Sequence, residues 1–467
     1  MKEYLTIVEL STTKVAVAVG EKESSGIKVV CHKTTPLPKG IVRGDVVNAQ
    51  KVIEALKETV AKAEEEISNP IQKIVLCQSS QFIRCEDYSI RQERSIADSF
   101  ITSEEIAKIT KKAEEHEVSH DEKIFAAIPQ SYNVDDEIGI SPADVEGMRG
   151  KKIEAFFKLV IGKKTSYDFK MEIASKCNLE VIHTVLSPIG CAIATVGENE
   201  AENGVALLDI GAGTTDVVIV KDNIIRYVGV IPFGGKSISD DIKNVTNVTS
   251  QHAEYIKTRY GRAMEEGTPE NKKLMIPGTG GSPETNIQLN KLSAIIEARL
   301  TEIFEAVEYT IEQSGFANKI TGIVITGGTA YIDEIKVLAK AVTGYGCRLA
   351  NAQGKIHDKS AESCFDTYSA SIIGCLCDSF EKGIEKIANM APNKELFGKD
   401  HFTEKEPDVE AGSDNKNTDK KGQDNKTKNN STRRSFFGRP KNKDDNKEKG
   451  KTMSDLFGDF FNDNNNA

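Results

Sequence analysis

At 467 residues the chain is longer than one ordinary domain, and its 38% hydrophobic content is enough for more than one core. A formal net charge of -10 argues against a nucleic-acid binder, because affinity for a phosphate backbone needs clustered cations. Met1 to Val8 does not form the basic opening of a signal sequence, and no apolar run approaches the roughly 18 residues of a membrane span, so neither secretion nor membrane crossing is expected. The nine cysteines are scattered, and Cys375 and Cys377 lack the second pair that a zinc site needs, which favours reduced thiols in a cytosolic core.

In chain order, the first informative segment is TIVELSTTKVAVAV, Thr6 to Val19. It sets apolar runs on either side of an acid, Glu9, and a turn holding Ser11, Thr12, Thr13 and Lys14, a hairpin whose turn offers donors to an anion. An amphipathic helix is predicted over Val46 to Glu66 and a strand over Ile71 to Leu76. A helix follows over Ser103 to Glu117, opened by a capping-box pattern at Ser103 with Glu104 and Glu105 behind it. A further helix is predicted over Thr165 to Cys177, a strand over Leu179 to Thr184, and a connecting helix at Pro188.

GVALLDIGAGTTDVVIV, Gly204 to Val220, repeats the first hairpin in stronger form. Val205 to Leu208 and Val217 to Val220 suit buried strands, and Gly211 and Gly213 allow positive φ and let backbone N–H groups approach a phosphate closely. Thr214 and Thr215 add hydroxyl donors, and Asp209 is placed to hold Mg²⁺ through water. Alone, the segment has an ordinary hairpin with a glycine-rich turn as its lesser alternative. Two such hairpins about 200 residues apart predict related halves clamping one nucleotide. Leu292 to Gln313 reads as a long core helix. GIVITGGTAYIDEI, Gly322 to Ile335, reads as a strand, the pair Gly327 and Gly328 against which a nucleoside can lie flat, and a helix start facing the phosphates.

These three elements, in this order, resemble the actin, Hsp70 and sugar-kinase ATPase superfamily. Ala127 to Gly162 carries Ile128-Pro129-Gln130 and Gly147-Met148-Arg149, which look like the inserted subdomain of the bacterial cell-division FtsA family. VIPFGGKSISDDI after the second hairpin, AEYIKTRYG at Ala253 to Gly261 and YSASIIGCL from Tyr368 are similar to the same family, over about residues 1 to 385. The resemblance implies a two-lobed α/β actin-like ATPase fold with an inserted α+β subdomain in the first lobe and a disordered C-terminal tail. The implied layout is 1–83 first-lobe core, 84–163 inserted subdomain, 164–203 first-lobe core with the connecting helix, and 204–235 second-lobe core. It continues with 236–314 as a distal subdomain, 315–365 as second-lobe core with the adenosine loop, 366–390 as a return helix and 391–467 as a linker.

The resemblance also implies ATP and Mg²⁺ as cofactors, with Glu254 and Lys257, three residues apart on one helix face, contacting ribose and base. Read without it, the two are an exposed ion pair. It implies self-assembly, contact with the C-terminal tail of FtsZ through about residues 236 to 314, filament contacts through about 84 to 163, recruitment of later division proteins, and a location on the inner face of the cell membrane. Two departures stand out. Glu9 and Ser11 occupy the usual Asp and Gly of the first turn, where the Ser11 Cβ restricts φ and weaker nucleotide binding is expected. Ser187 precedes Pro188 where many relatives place Glu or Gln, and a serine hydroxyl is no base near neutral pH, so hydrolysis is expected to be slow or absent. A small-molecule kinase, or a pilus-assembly or rod-shape actin homologue, is the competing class.

From about Ala391 the composition shifts to Lys, Asn, Asp, Gly and Ser, that of a chain unable to bury a core. Residues 426–451 hold ten Lys or Arg against three Asp or Glu, with Phe436 and Phe437 among them. Met453, Leu456, Phe457, Phe460 and Phe461 then form one stripe of a short helix, opposite Asp455, Asp459 and Asp463. The residues fit contact with an anionic membrane or a partner-binding motif. FtsA proteins typically end in an amphipathic membrane-targeting helix, and the resemblance selects the membrane.

Overall fold

The computed structural model describes residues 4–24, 26–94, 99–278 and 283–388. The predicted tail, with its linker and apolar stripe, lies outside them. β1 (Tyr4–Leu10), β2 (Lys14–Glu23) and β3 (Gly26–Pro36) form an antiparallel meander, followed by the ribbon β4 (Ile41–Val42) and β5 (Asp45–Val46). α1 (Ala49–Ile67) then leads to β6 (Lys73–Gln78), which runs parallel to β1 with Ile7 opposite Val75. The predicted start of α1 at Val46 was early: Val46 pairs with Ile41 in the ribbon, and the Asn48 side chain caps the helix by accepting from Lys51 N–H at 3.1 Å. Val52, Ala55, Leu56, Thr59, Val60 and Ala63 form its buried stripe, packed on the apolar face of the sheet.

The chain leaves this sheet for β7 (Arg84–Glu93), α2 (Ser103–Glu114), β8 (Glu122–Val134), β9 (Glu137–Ile140) and β10 (Lys152–Lys163), which build a separate sheet of order β7-β10-β8-β9. Its own core centres on Tyr132, Val134, Phe157 and Leu159. The capping box of α2 is built on Thr102 and not on Ser103: Thr102 Oγ1 accepts from Glu105 N–H at 3.3 Å while Glu105 accepts from Thr102 N–H at 3.2 Å. The helix ends at Glu114, three residues short of the predicted Glu117. α3 (Lys164–Lys176) and β11 (Glu180–Leu186) return to the first sheet and complete the order β11-β6-β1-β2-β3.

α4 (Ser187–Thr195) and α5 (Glu198–Asn203) lead to a second sheet. Its meander is β12 (Val205–Ile210), β13 (Thr215–Lys221) and β14 (Ile224–Ile231). After α6 (Gly235–Thr246), α7 (Ser250–Tyr260), the ribbon β15 (Lys273–Ile276) and β16 (Thr285–Gln288), and the long α8 (Leu289–Gln313), β17 (Gly322–Thr326) pairs parallel with β12. α9 (Ile335–Thr343) and β18 (Gly346–Leu349) finish an order β14-β13-β12-β17-β18, the plan of the first sheet repeated. The helix expected directly after Gly327 and Gly328 is displaced. A 3-10 turn, Gly328–Tyr331, comes first and α9 opens only at Ile335.

α10 (Ala370–Glu381) and α11 (Ile384–Ala388) return to the first sheet. α10 crosses α4 at a glycine contact: a Cβ on Gly190 would lie 2.7 Å from Cys375 N, and one on Gly374 would overlap the Gly190 carbonyl. Backbones this close join the segments that pass between the sheets. The inserted sheet adds a second tie, because Gln130 Nε2 donates to the Ile225 carbonyl at 2.9 Å and Arg226 Nη1 donates to the Gln130 carbonyl at 3.1 Å. All nine cysteines are free and at least partly buried.

Gly374→Ala should destabilise the chain by about 1–3 kcal/mol or more, since overpacking at a backbone crossing has no flexible atom to yield. Thermal unfolding checks this against Gly346→Ala, whose added Cβ meets nothing within 4 Å. Equal melting temperatures for the two variants would contradict it.

Candidate functional site

The ends of both sheets open on one cleft of about 1030 Å³. It is lined from the first sheet by Glu9, Ser11, Thr12, Thr13 and Lys14, and from the second by Asp209, Gly211, Gly213 and Thr214. Glu254, Lys257, Gly327 and Gly328 complete the predicted set. Thr215 is the exception: its side chain is fully buried and its Oγ1 donates to the Phe233 carbonyl at 2.9 Å, so it tethers the strand and does not face the cleft.

The two turns touch. A Cβ on Gly213 would lie 2.5 Å from Thr12 Oγ1 and 3.0 Å from Arg43 Cα, so glycine here permits the approach of the two sheets. Neither Gly211 nor Gly213 uses the positive φ that glycine allows; Gly327 does, at 91°, with Asp209 Oδ1 and the Ile210 carbonyl where a side chain would stand. Two carbonyls of the second turn are already satisfied from across the cleft wall. Gly211 O accepts from Gly235 N–H at 2.9 Å and from Thr329 Oγ1 at 2.9 Å, and Ala212 O accepts from Lys236 N–H at 2.8 Å. What the turn has left for a ligand is donors.

Three carboxylates converge at the strand ends. Glu9 is buried and accepts from Ser371 Oγ at 2.5 Å. Asp209 stands opposite Asp216 in the hairpin register. Burial first, then the charge of Glu9, pushes the Asp209 carboxyl up to about 6. Burial and Asp209 push Asp216 well above the usual carboxylate range. Lys14 faces them, its Nζ donating to the Tyr368 carbonyl at 2.9 Å and standing 4.2 Å from the centre of the Tyr368 ring. Burial lowers its pKa, partly offset by Glu9, Asp209 and Asp366.

Among the described residues no group of three or more His, Cys, Asp or Glu side chains is arranged to ligate a metal directly. The donor set nevertheless fits a hydrated Mg²⁺, which keeps several of its waters and needs only one or two carboxylates near it. Carboxylates that penalise one another's ionisation are relieved by such a cation.

Lys257 is less free than its spacing suggests. Its buried ammonium donates to the Gly235 carbonyl at 2.8 Å and to Glu254 Oε2 at 2.9 Å, while Ser239 Oγ also donates to Glu254. Burial lowers the Lys257 pKa and Glu254 opposes that shift. Asp216, Ser239, Tyr368 and Ser371 line the cleft and were missed. Asp216 was within reach of the sequence: counting outward from the turn Gly211 to Thr214 pairs residue 210 with 215 and 209 with 216.

Two five-stranded sheets of one repeated plan, with a phosphate-type turn from each meeting at a shared cleft, define the two-lobed α/β class of actin-like ATPases. Solved structures agree on the fold. A chain of the PilM-PilN type IV pilus biogenesis complex superposes with a TM-score of 0.57 at 14% identity, over 80% of this chain and 98% of that one. MreB5 of Spiroplasma citri bound to AMPPNP gives a TM-score of 0.51 at 15% identity, over 83% and 99%. The family model described as Cell division protein FtsA matches residues 206–374, and that of the SHS2 domain inserted in FTSA matches 84–161. Cell division protein FtsA of Neisseria meningitidis serogroup B is 27% identical over 371 residues, 78% of this chain and 88% of that protein. That of Escherichia coli K12 is 26% identical over 343 residues, 72% and 81%. The two family matches together take in more than half of the chain, which belongs to the FtsA family of cell-division proteins. Among the described residues no helix is long and apolar enough to cross a membrane.

The raised Asp209 carboxyl sets a pH dependence. The folded state holds this proton more tightly than the unfolded chain does, so the group's penalty on stability is absent below about pH 4 and complete above about 6. Asp209→Asn removes the penalty and should raise the melting temperature at pH 7.5 while leaving it unchanged near pH 4. Thermal unfolding without added metal or nucleotide at the two pH values checks this, and an equal shift at both would contradict it.

Proposed function

We propose that the protein binds ATP with Mg²⁺ in this cleft and uses the nucleotide as a clasp between its lobes in cell division. The observation that carries the reading is the convergence of two donor-rich turns, one from each sheet, on a single cavity floored by carboxylates. In it, residues 11–14 and the turn Gly211 to Thr214 cradle the phosphates. Glu9 and Asp209, with Asp216 behind, hold the hydrated cation, which supplies neutralising charge when bound. Gly327, Gly328, Glu254 and Lys257 form the nucleoside end; the Glu254–Lys257 pair acts there through a carboxylate already positioned by its lysine. Ser187 provides no base, so turnover is slow and the nucleotide acts as a ligand for assembly.

In the cell this reading makes the chain a self-assembling link between a ring of FtsZ and the inner face of the membrane. The distal segment, about 236–314, takes the FtsZ C-terminal tail; the inserted subdomain, about 84–163, serves filament contacts; and later division proteins are recruited to the assembly. The tail after Ala391 attaches to anionic lipid, through its basic stretch with Phe436 and Phe437 and the apolar stripe Met453, Leu456, Phe457, Phe460 and Phe461. FtsA membership and the tail's composition support this.

Sedimentation with anionic vesicles tests the link. The full chain with ATP should pellet, a chain ending at Ala391 should stay in solution, and Phe460→Asp with Phe461→Asp should be released from the pellet. Vesicle binding that survives both changes would remove the tail from the reading. Turnover of ATP should fall well below the median enzyme rate of about 10 per second, and a steady-state phosphate-release assay at or above that rate would refute the clasp.

A further inference from the structure

Ser187 opens α4, whose nine residues run from the end of β11 toward the second sheet. Its side chain is only 4% exposed, yet its Oγ has no hydrogen-bond partner and it lines the cleft. A buried hydroxyl left unpaired is costly, so such a group in a cavity wall marks a position where something else completes the bond. The surroundings point the same way. No side chain caps α4, the preceding Leu186 having no polar group to offer, so the helix start keeps its partial positive charge for the cleft. Beside Leu186 in the strand register stands Gln78, 2% exposed, whose Nε2 is a second buried donor without a partner. An unmatched hydroxyl and a helix N-terminus on the wall of a cleft floored by carboxylates, with a second unmatched donor on the neighbouring strand behind them, call for an anionic oxygen brought in together with a cation.

We propose that Ser187 Oγ and the N-terminus of α4 form the subsite for the terminal phosphoryl group of a nucleoside triphosphate, and that Ser187 is what distinguishes tri- from diphosphate. This rests on the reading of the cleft as a nucleotide site. Here the hydroxyl donates to a non-bridging phosphoryl oxygen and takes no proton from water. A diphosphate held by the two turns does not reach α4, and Ser187 then stays unpaired. The residue that makes this a poor hydrolase therefore makes it a reader of the nucleotide's state.

The test is calorimetric titration of ATP and of ADP, each with Mg²⁺, into the full chain, Ser187→Ala and Ser187→Thr. Loss of a hydrogen bond to a charged oxygen should weaken ATP binding by roughly 10- to 100-fold in Ser187→Ala, leave ADP within about twofold, and be largely reversed by the hydroxyl of Ser187→Thr. Removing a buried hydroxyl that has no partner should not lower the melting temperature of the unliganded protein. Equal changes for ATP and ADP, or no change for either, would overturn the subsite while leaving the nucleotide site standing. A wild-type chain that binds neither nucleotide would overturn both.

Discussion

The arrangement depends on keeping Glu9, Asp209 and Asp216 together at the meeting of two sheets, in surroundings that disfavour their charge. A lone ionised carboxylate taken out of water is costly, and each neighbour of like sign adds to that cost. The lengthened carboxylate at position 9 is met by Ser371 from α10, a helix that arrives from the far end of the chain. Lys14 faces the group from the first turn, anchored on the Tyr368 carbonyl. Each lobe thus supplies part of the acid cluster, and the return segment supplies part of its restraint. On the proposed reading a cation with phosphates attached complements both, which would make the carboxylates and the donor-rich turns one site.

Backbone proximity is the second constraint. Gly213 lets the turns of the two sheets meet, and the contact of Gly190 with Gly374 lets α4 and α10 cross where the chain passes between lobes. Side chains at either place would hold the sheets apart and open the cleft. The inserted sheet adds a tie of a different kind. It belongs in sequence to the first lobe but hydrogen-bonds through Gln130 to Ile225 and Arg226 on the edge strand of the second. An edge strand covered in this way is also protected from pairing with another chain.

Much of this was legible in the residues. The two hairpins declare themselves through continuous apolar runs around polar turns, and the long helix ending at Gln313 through its repeating apolar stripe. Boundaries were less legible, because they turn on single side chains: Asn48 caps α1 after Val46 has been taken into a ribbon, and Thr102 takes the role expected of Ser103. The helix after Gly327 and Gly328 was placed too early because the strand end first needs a 3-10 turn, which carries Thr329 to the Gly211 carbonyl.

Within the site, residue type was legible and availability was not. Thr214 and Thr215 are the same amino acid in adjacent positions, yet only one lines the cleft, because strand alternation sends the other to the Phe233 carbonyl. Lys257 looks like a free cation at helical spacing from Glu254, and the fold occupies it with the Gly235 carbonyl, which also accepts from Ser239 Oγ at 3.2 Å. Ser187 is the converse: a residue that reads as the loss of a base is the one buried hydroxyl on the cleft wall that the described structure leaves without a partner. Which donors a ligand meets is decided by the donors that folding has not already used, and that is a property of three-dimensional accounting across both lobes.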